Sequence, residues 1–241
     1  NRSWPQIVGD IRFGLSQLAA MDDLEREAHR LRPREVKPGG VTRIWRSAGE
    51  RVTKAWTYKE LKRVKAEIMD EYNQVSLDPD AQPLRLGLLG EFFTVVEPFC
   101  NMDLEDMLGR MGVEVKRHAF FGNWAKTWLF LETLGLSHDQ QVKKAAAPYL
   151  SRDVSGDAVQ TLGETILHQK EGYDGIIHLL PLTCMPEIIA QSIMPRVTRD
   201  YEIPVLSVVL DEQMGRAGLV TRVEAFVDLM QRRRALKQRA S

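Results

Sequence analysis

The chain has 241 residues, 44% of them hydrophobic, and its 33 lysines and arginines balance 33 aspartates and glutamates, so the formal net charge is zero. A chain of this size can bury a core in one large domain or two small ones, and the even charge excludes a broad basic footprint for nucleic acid or an anionic membrane. Two cysteines exclude a disulfide framework and no signal segment or membrane-length apolar run is present, which together predict a cytoplasmic protein.

The sequence opens Asn-Arg-Ser-Trp-Pro without an initiating methionine, as expected of a piece of a longer protein. From Ile7 to Leu31 apolar residues (Ile7, Ile11, Leu15, Leu18, Met21, Leu24) recur at helical spacing and predict one long helix. The loop RPREVKPGG interrupts it, and a second helical pattern runs from about Val41 to Lys54. A third helix is announced by Thr57 with Glu60 three residues on, the capping-box spacing. No strand is expected before Asp78. The turn DPDAQP then marks a change of regime, which sets a helical region, residues 1–82, before an α/β domain, residues 83–241.

In that second region Leu84 to Leu89 reads as a strand ending at Gly90 and Glu91. A helix from about Asp103 to Met111 is closed by Gly112, and Val113 to Arg117 reads as the second strand. An aromatic stretch from Asn123 to Leu134 carries Trp124, Trp128 and Phe130. Helices are expected over His138 to Tyr149 and Ala158 to Lys170. Gly175 to Leu180 is the third strand, and a helix opening at Cys184 is expected to bend or break near Pro195, since proline lacks the N–H the ladder needs. Ile203 to Leu210 is the fourth strand and Val220 to Gln238 the last helix.

Strands separated by helices need right-handed crossovers and so a parallel sheet covered on both faces. The expected fold is an α/β Rossmann-like or flavodoxin-like layer sandwich of about four strands in order 2-1-3-4, with the N-terminal helices packed on it. Ligands of such sheets bind outside the carboxyl ends of the strands. That edge carries Glu91, then Cys184, then Asp211 to Gly215.

Familiar fingerprints are missing: GxGxxG after a strand, GxxxxGK[ST], HExxH and CxxC do not occur. The five histidines at 29, 118, 138, 168 and 178 show no helical ligand spacing. Cys184 stands at a strand-to-helix turn, where free N–H groups and the helix dipole are expected to favour a thiolate; the opposing reading is a buried core thiol. A Cys184–His178 nucleophile pair is conceivable, although a lone strand histidine is more often a satisfied structural group. Cys100 reads as an apolar filler. Glu91 and Glu97 could bind a substrate hydroxyl, act as a base, or cap a helix.

Four segments carry a family resemblance: LRPREVKPGG, GEFFTVVEPFCNMDLEDMLGRMGVEV, DGIIHLLPLTCMPEIIAQSIMPRV and IPVLSVVLDEQMGRAGLVTRVEAFVDLM. In order and spacing they resemble the C-terminal region of the 2-hydroxyacyl-CoA dehydratase D-component family, closest to its activase-related branch (CoA-substrate-specific enzyme activase, or CoA protein activase). The resemblance implies an iron-sulfur protein handling low-potential electrons for chemistry on CoA thioesters, with a four-iron four-sulfur cluster held between two Rossmann-like domains. It places Cys184 at a cluster-ligand position, with Glu91, Asn101, Glu187 and Glu212 lining the same cleft, and gives Cys100 no ligand role. Asp157 stands where relatives carry a glycine-histidine pair. The partners implied are an N-terminal domain of the same protein and an ATP-dependent activase or dehydratase component. Such a cluster needs three or four thiolates, so this piece alone is expected to lack the cluster and to be inactive. Two alternatives stay open: a non-catalytic scaffold or interaction domain that has lost the cluster, and a flavodoxin-like module binding a small ligand.

Overall fold

The computed structural model describes residues 3–120, 122, 139–152 and 154–240. The chain divides into two compact units, Asn1–Gln82 with Phe120–Leu136, and Pro83–Ala119 with Ser137–Ser241. The expected aromatic stretch 123–134, with Trp124, Trp128 and Phe130, lies outside the described residues, as does His138.

The first unit is built from α1 (Trp4–Leu31), α2 (Gly40–Thr53) and α3 (Tyr58–Asn73). Their shared core is apolar at helical spacing: Leu24, Ala28 and Leu31 of α1 meet Val41, Ala48 and Val52 of α2 and Leu61, Ile68 and Tyr72 of α3. The start of α3 follows from its first residues. Thr57 accepts a hydrogen bond from Glu60 N–H at 3.2 Å, and Glu60 in turn accepts from Thr57 N–H at 3.2 Å, which satisfies two otherwise unpaired donors. The proline-rich turn before α2 is held by Glu35, whose carboxylate accepts from the N–H groups of Gly39 (3.1 Å) and Val41 (2.8 Å). That carboxylate therefore caps α2, where the N-cap Gly39 takes φ +112 and has no side chain to offer.

The second unit holds a four-stranded parallel sheet in the order β2-β1-β3-β4, with β1 (Leu84–Gly90), β2 (Val113–Arg117), β3 (Gly175–Pro181) and β4 (Val205–Leu210). The fold is thus mixed α/β with a Rossmann- or flavodoxin-like layout. The central strands β1 and β3 are buried on both faces and read as continuous apolar runs; β2, at an edge, alternates. One face packs through Leu86, Leu88, Ile177, Leu179 and Val208 against α5 (Leu104–Arg110) and α9 (Arg216–Ala240). Each such leucine contributes about 1.5–3 kcal/mol by burial. On the other side α7 (Ala158–Lys170) and α8 (Met185–Tyr201) share a core of Leu162, Ile166, Ala190 and Met194 with Val205 of β4. The remaining described helices are the short α4 (Phe92–Val96) and α6 (Asp139–Ala146).

One helix was not announced by the sequence, and of the bend or break expected at Pro195 the break does not occur. The residues after β1 form a helix at once, α4, because Glu91 supplies its cap; periodicity is too short-lived over five residues to announce it. Helix α8 does not break at Pro195 but runs through it to Tyr201. Pro195 itself is exposed, and its missing N–H leaves the carbonyl of Gln191, four residues back, without its helical donor.

Candidate functional site

The carboxyl ends of β1 and β3 lie side by side, and their geometry is set by one glycine. Gly90 pairs with Leu179 across the strands and takes φ +134; a Cβ there would lie 1.8 Å from the Leu179 carbonyl oxygen. Only glycine fits. The chain then turns through Glu91, whose carboxylate accepts hydrogen bonds from Phe93 N–H at 3.0 Å and Thr94 N–H at 2.9 Å. Glu91 is therefore engaged as the cap of α4. Asn101, fully buried, donates to the carbonyls of Thr94 (3.2 Å) and Val95 (3.1 Å) and accepts from Leu104 N–H at 3.2 Å, which braces the loop between α4 and α5.

On the neighbouring strand, β3 ends at Pro181, and Cys184 is the N-cap residue of α8. The thiol is partly buried and unbonded to any other cysteine. Burial pushes the Cys184 thiol above its ordinary pKa; the backbone N–H of Glu187 pulls it down, while the Glu187, Glu91 and Asp157 carboxylates push it further up. The expectation that a helix start would favour the thiolate is thus reversed, because desolvation and three carboxylates outweigh one N–H. Asp157, N-cap of α7, accepts from Phe92 N–H at 3.0 Å and ties α7 to the chain leaving β1; burial raises its pKa.

Glu187 does not line an open cleft. It is 0% exposed, and its carboxylate lies 2.6 Å from Nε2 of His178, which is also 0% exposed. Thr161 Oγ1 donates to the same carboxylate at 3.1 Å, and the other ring nitrogen of His178 meets Ser207 Oγ at 3.2 Å. Both nitrogens of His178 are thereby occupied, so this ring is not a free base for Cys184, and the Cys184–His178 pair is set aside. The same unit also holds His168, fully buried with its Nδ1 2.7 Å from the Glu164 carbonyl, and the half-buried His118, whose imidazole desolvation holds below its ordinary pKa. The hydrogen-bonded group of Glu187, His178, Thr161 and Ser207 was not read from the sequence. Its signal is nonetheless there: one histidine inside an otherwise apolar strand must find a partner, and the next helix brings Glu187 back over it within a turn of its start.

Among the other candidates, Glu212 is exposed in the turn after β4, and Glu97 accepts from Phe99 N–H at 3.2 Å. Cys100 sits in the loop after α4, its thiol pushed up by burial and by Glu97 and Glu91. Bulky apolar side chains stand out here: Phe99, in the loop after α4, is 90% exposed, and Met185, the first residue of α8, 66%.

The chain matches no protein-family model and no curated protein. The assignment of function therefore stands on the residues and their geometry. Among the described residues no helix is long and apolar enough to cross a membrane.

The edge offers one thiol at a helix start, held in place from beneath, with hydrogen-bonded carboxylates around it. A four-iron cluster takes three or four thiolates, and the chain holds Cys184 and Cys100 in all. This donor set fits one ligand position of such a group and not the whole of it.

Proposed function

We propose that this chain is the C-terminal part of an iron-sulfur protein related to the dehydratase D-component and activase-related family, and that Cys184 supplies one ligand to its cluster. The observation that carries the reading is the place of Cys184: N-cap of α8, at the carboxyl end of a central parallel strand and beside the Gly90–Glu91 turn of its neighbour. The resemblance of four sequence segments supports it. The remaining thiolates come from an N-terminal domain or a partner chain in the cytoplasm. When bound, such a cluster supplies low-potential electrons for reactions of CoA thioesters. The residues of this chain hold and position the ligand: Glu187 N–H faces the sulfur, and the buried Glu187–His178 bond fixes the first turn of α8. Because Cys184 must lose a proton to bind metal and its pKa is raised, loading strengthens as pH rises.

The test is iron and sulfide analysis of the complete protein, purified anaerobically, with Cys184→Ala and Cys100→Ala beside it. Cys184→Ala loses iron and the broad visible absorption, and Cys100→Ala keeps both. Equal iron content in the parent and Cys184→Ala ends this reading. A second reading, an interaction module without a cluster, is favoured by the exposed Phe99 and Met185 at the same edge; a colourless complete protein would select it.

A further inference from the structure

Among its described residues, the first unit carries an apolar surface outside the core that α1, α2 and α3 share. Helix α1 has two stripes. One, with Phe13, Ala20, Leu24, Ala28 and Leu31, faces the core shared with α2 and α3. The other, Trp4, Val8, Ile11, Leu15 and Leu18, recurs at steps of four, three, four and three residues, the 3.5-residue period of a seam that runs along another helix. Before Ala20 the described part of α1 buries no residue; Trp4 is 78% and Ile11 53% exposed. Beside this stripe a groove of about 1360 Å³ opens between α1 and α3, floored by Val8, Ile11, Leu15 and Leu61 and edged by Arg12 and Lys62. Lys65 on the same rim is already paired with Asp23 at 2.5 Å, whereas Arg12 and Lys62 stand in no ion pair among the described residues.

We propose that this groove docks a helix of a partner protein, one whose apolar a and d side chains fill it and whose flanking aspartates or glutamates meet Arg12 and Lys62. The period of the stripe selects a helix, and the two unpaired cations select acidic flanks. A second copy docking by the same face would set Arg12 and Lys62 of one chain against those of the other, since a two-fold contact places a patch on itself. A bilayer surface would meet a convex amphipathic face, not a trough between two helices.

The probe is a labelled synthetic helical peptide of about three heptads, leucine at a and d and glutamate at e and g, titrated against the full chain by fluorescence anisotropy. Saturable binding is expected, at least about tenfold tighter than for the same peptide with lysine at e and g. Ile11→Asp weakens it about tenfold or more while leaving the circular-dichroism melt in place, because Ile11 is exposed. Arg12→Glu reverses the preference between the two peptides. Failure of the folded chain to bind the glutamate peptide overturns the proposal, as does equal binding of both peptides. A dimer in sedimentation that Ile11→Asp dissociates would assign the face to a second copy, and binding to phosphatidylserine vesicles without peptide binding would assign it to a membrane; either overturns it too.

Discussion

Replacing Glu187 by alanine should destabilise the sheet unit by about 3–5 kcal/mol, the cost of removing one member of a fully buried charged or hydrogen-bonded pair. The structure supplies the accounting. His178 Nε2 loses its 2.6 Å partner and Thr161 Oγ1 loses the acceptor at 3.1 Å, both in the interior. Two stranded polar groups at about 1–3 kcal/mol each give a compatible sum. For a chain of this length that corresponds to a fall in Tm of about 6–20 °C. Glu187→Gln keeps one acceptor oxygen in reach of His178 Nε2 and Thr161 Oγ1 and should cost well under the alanine variant. The double variant His178→Leu with Glu187→Leu removes both ends of the bond and should recover much of the loss. Urea denaturation followed by circular dichroism, run as a double-mutant cycle, measures the coupling. A cost for Glu187→Ala below about 1 kcal/mol, or strict additivity with His178→Ala, would refute the claim that the two side chains act as a unit.

Three further substitutions probe other parts of the argument. Gly90→Ala places a methyl group 1.8 Å from the Leu179 carbonyl oxygen at φ +134; a loss of at least about 3 kcal/mol, or no soluble sheet unit, is expected in a thermal melt. Asp157 has its pKa raised by burial, so the folded state holds that proton more tightly than the unfolded one; its contribution is present at low pH and lost as pH rises through the folded pKa. Asp157→Asn should therefore gain in stability relative to the parent near neutrality, with the gap closing as pH falls through the carboxylate range, in denaturation midpoints taken across pH. Thr57→Ala removes the cap of α3 and should cost the helical unit about 1 kcal/mol, read from the same melts.

Much of the architecture was legible in the sequence because local chemistry and burial agreed there. Thr57 and Glu60 announced α3, Gly112 closed α5, and the uninterrupted apolar runs of β1 and β3 marked strands covered on both faces. Strand order followed from helices between strands and the handedness of crossovers. The site was less legible, because its character depends on residues that meet only after folding. Cys184 and Glu187 looked like neighbours at one edge, yet their positions on α8 send one side chain toward the surface and the other inward to His178, nine residues back along the chain. The raised pKa of Cys184 likewise follows first from burial that only folding brings about, with Glu187, Glu91 and Asp157 adding to it. Glu91 and Asn101 were found as candidate ligand-lining groups; hydrogen bonds within their own loops occupy them instead.

The bond between Glu187 and His178 also bears on what it costs anything to settle at this edge. The turn from Pro181 to Cys184 is a short span anchored at one end by the sheet and at the other by a side chain locked into the interior three residues further on. Such a span has few conformations left to lose, so a guest arriving there meets a surface already ordered and keeps more of its contact energy as affinity. Loosening that anchor would weaken binding without removing a single contact with the guest.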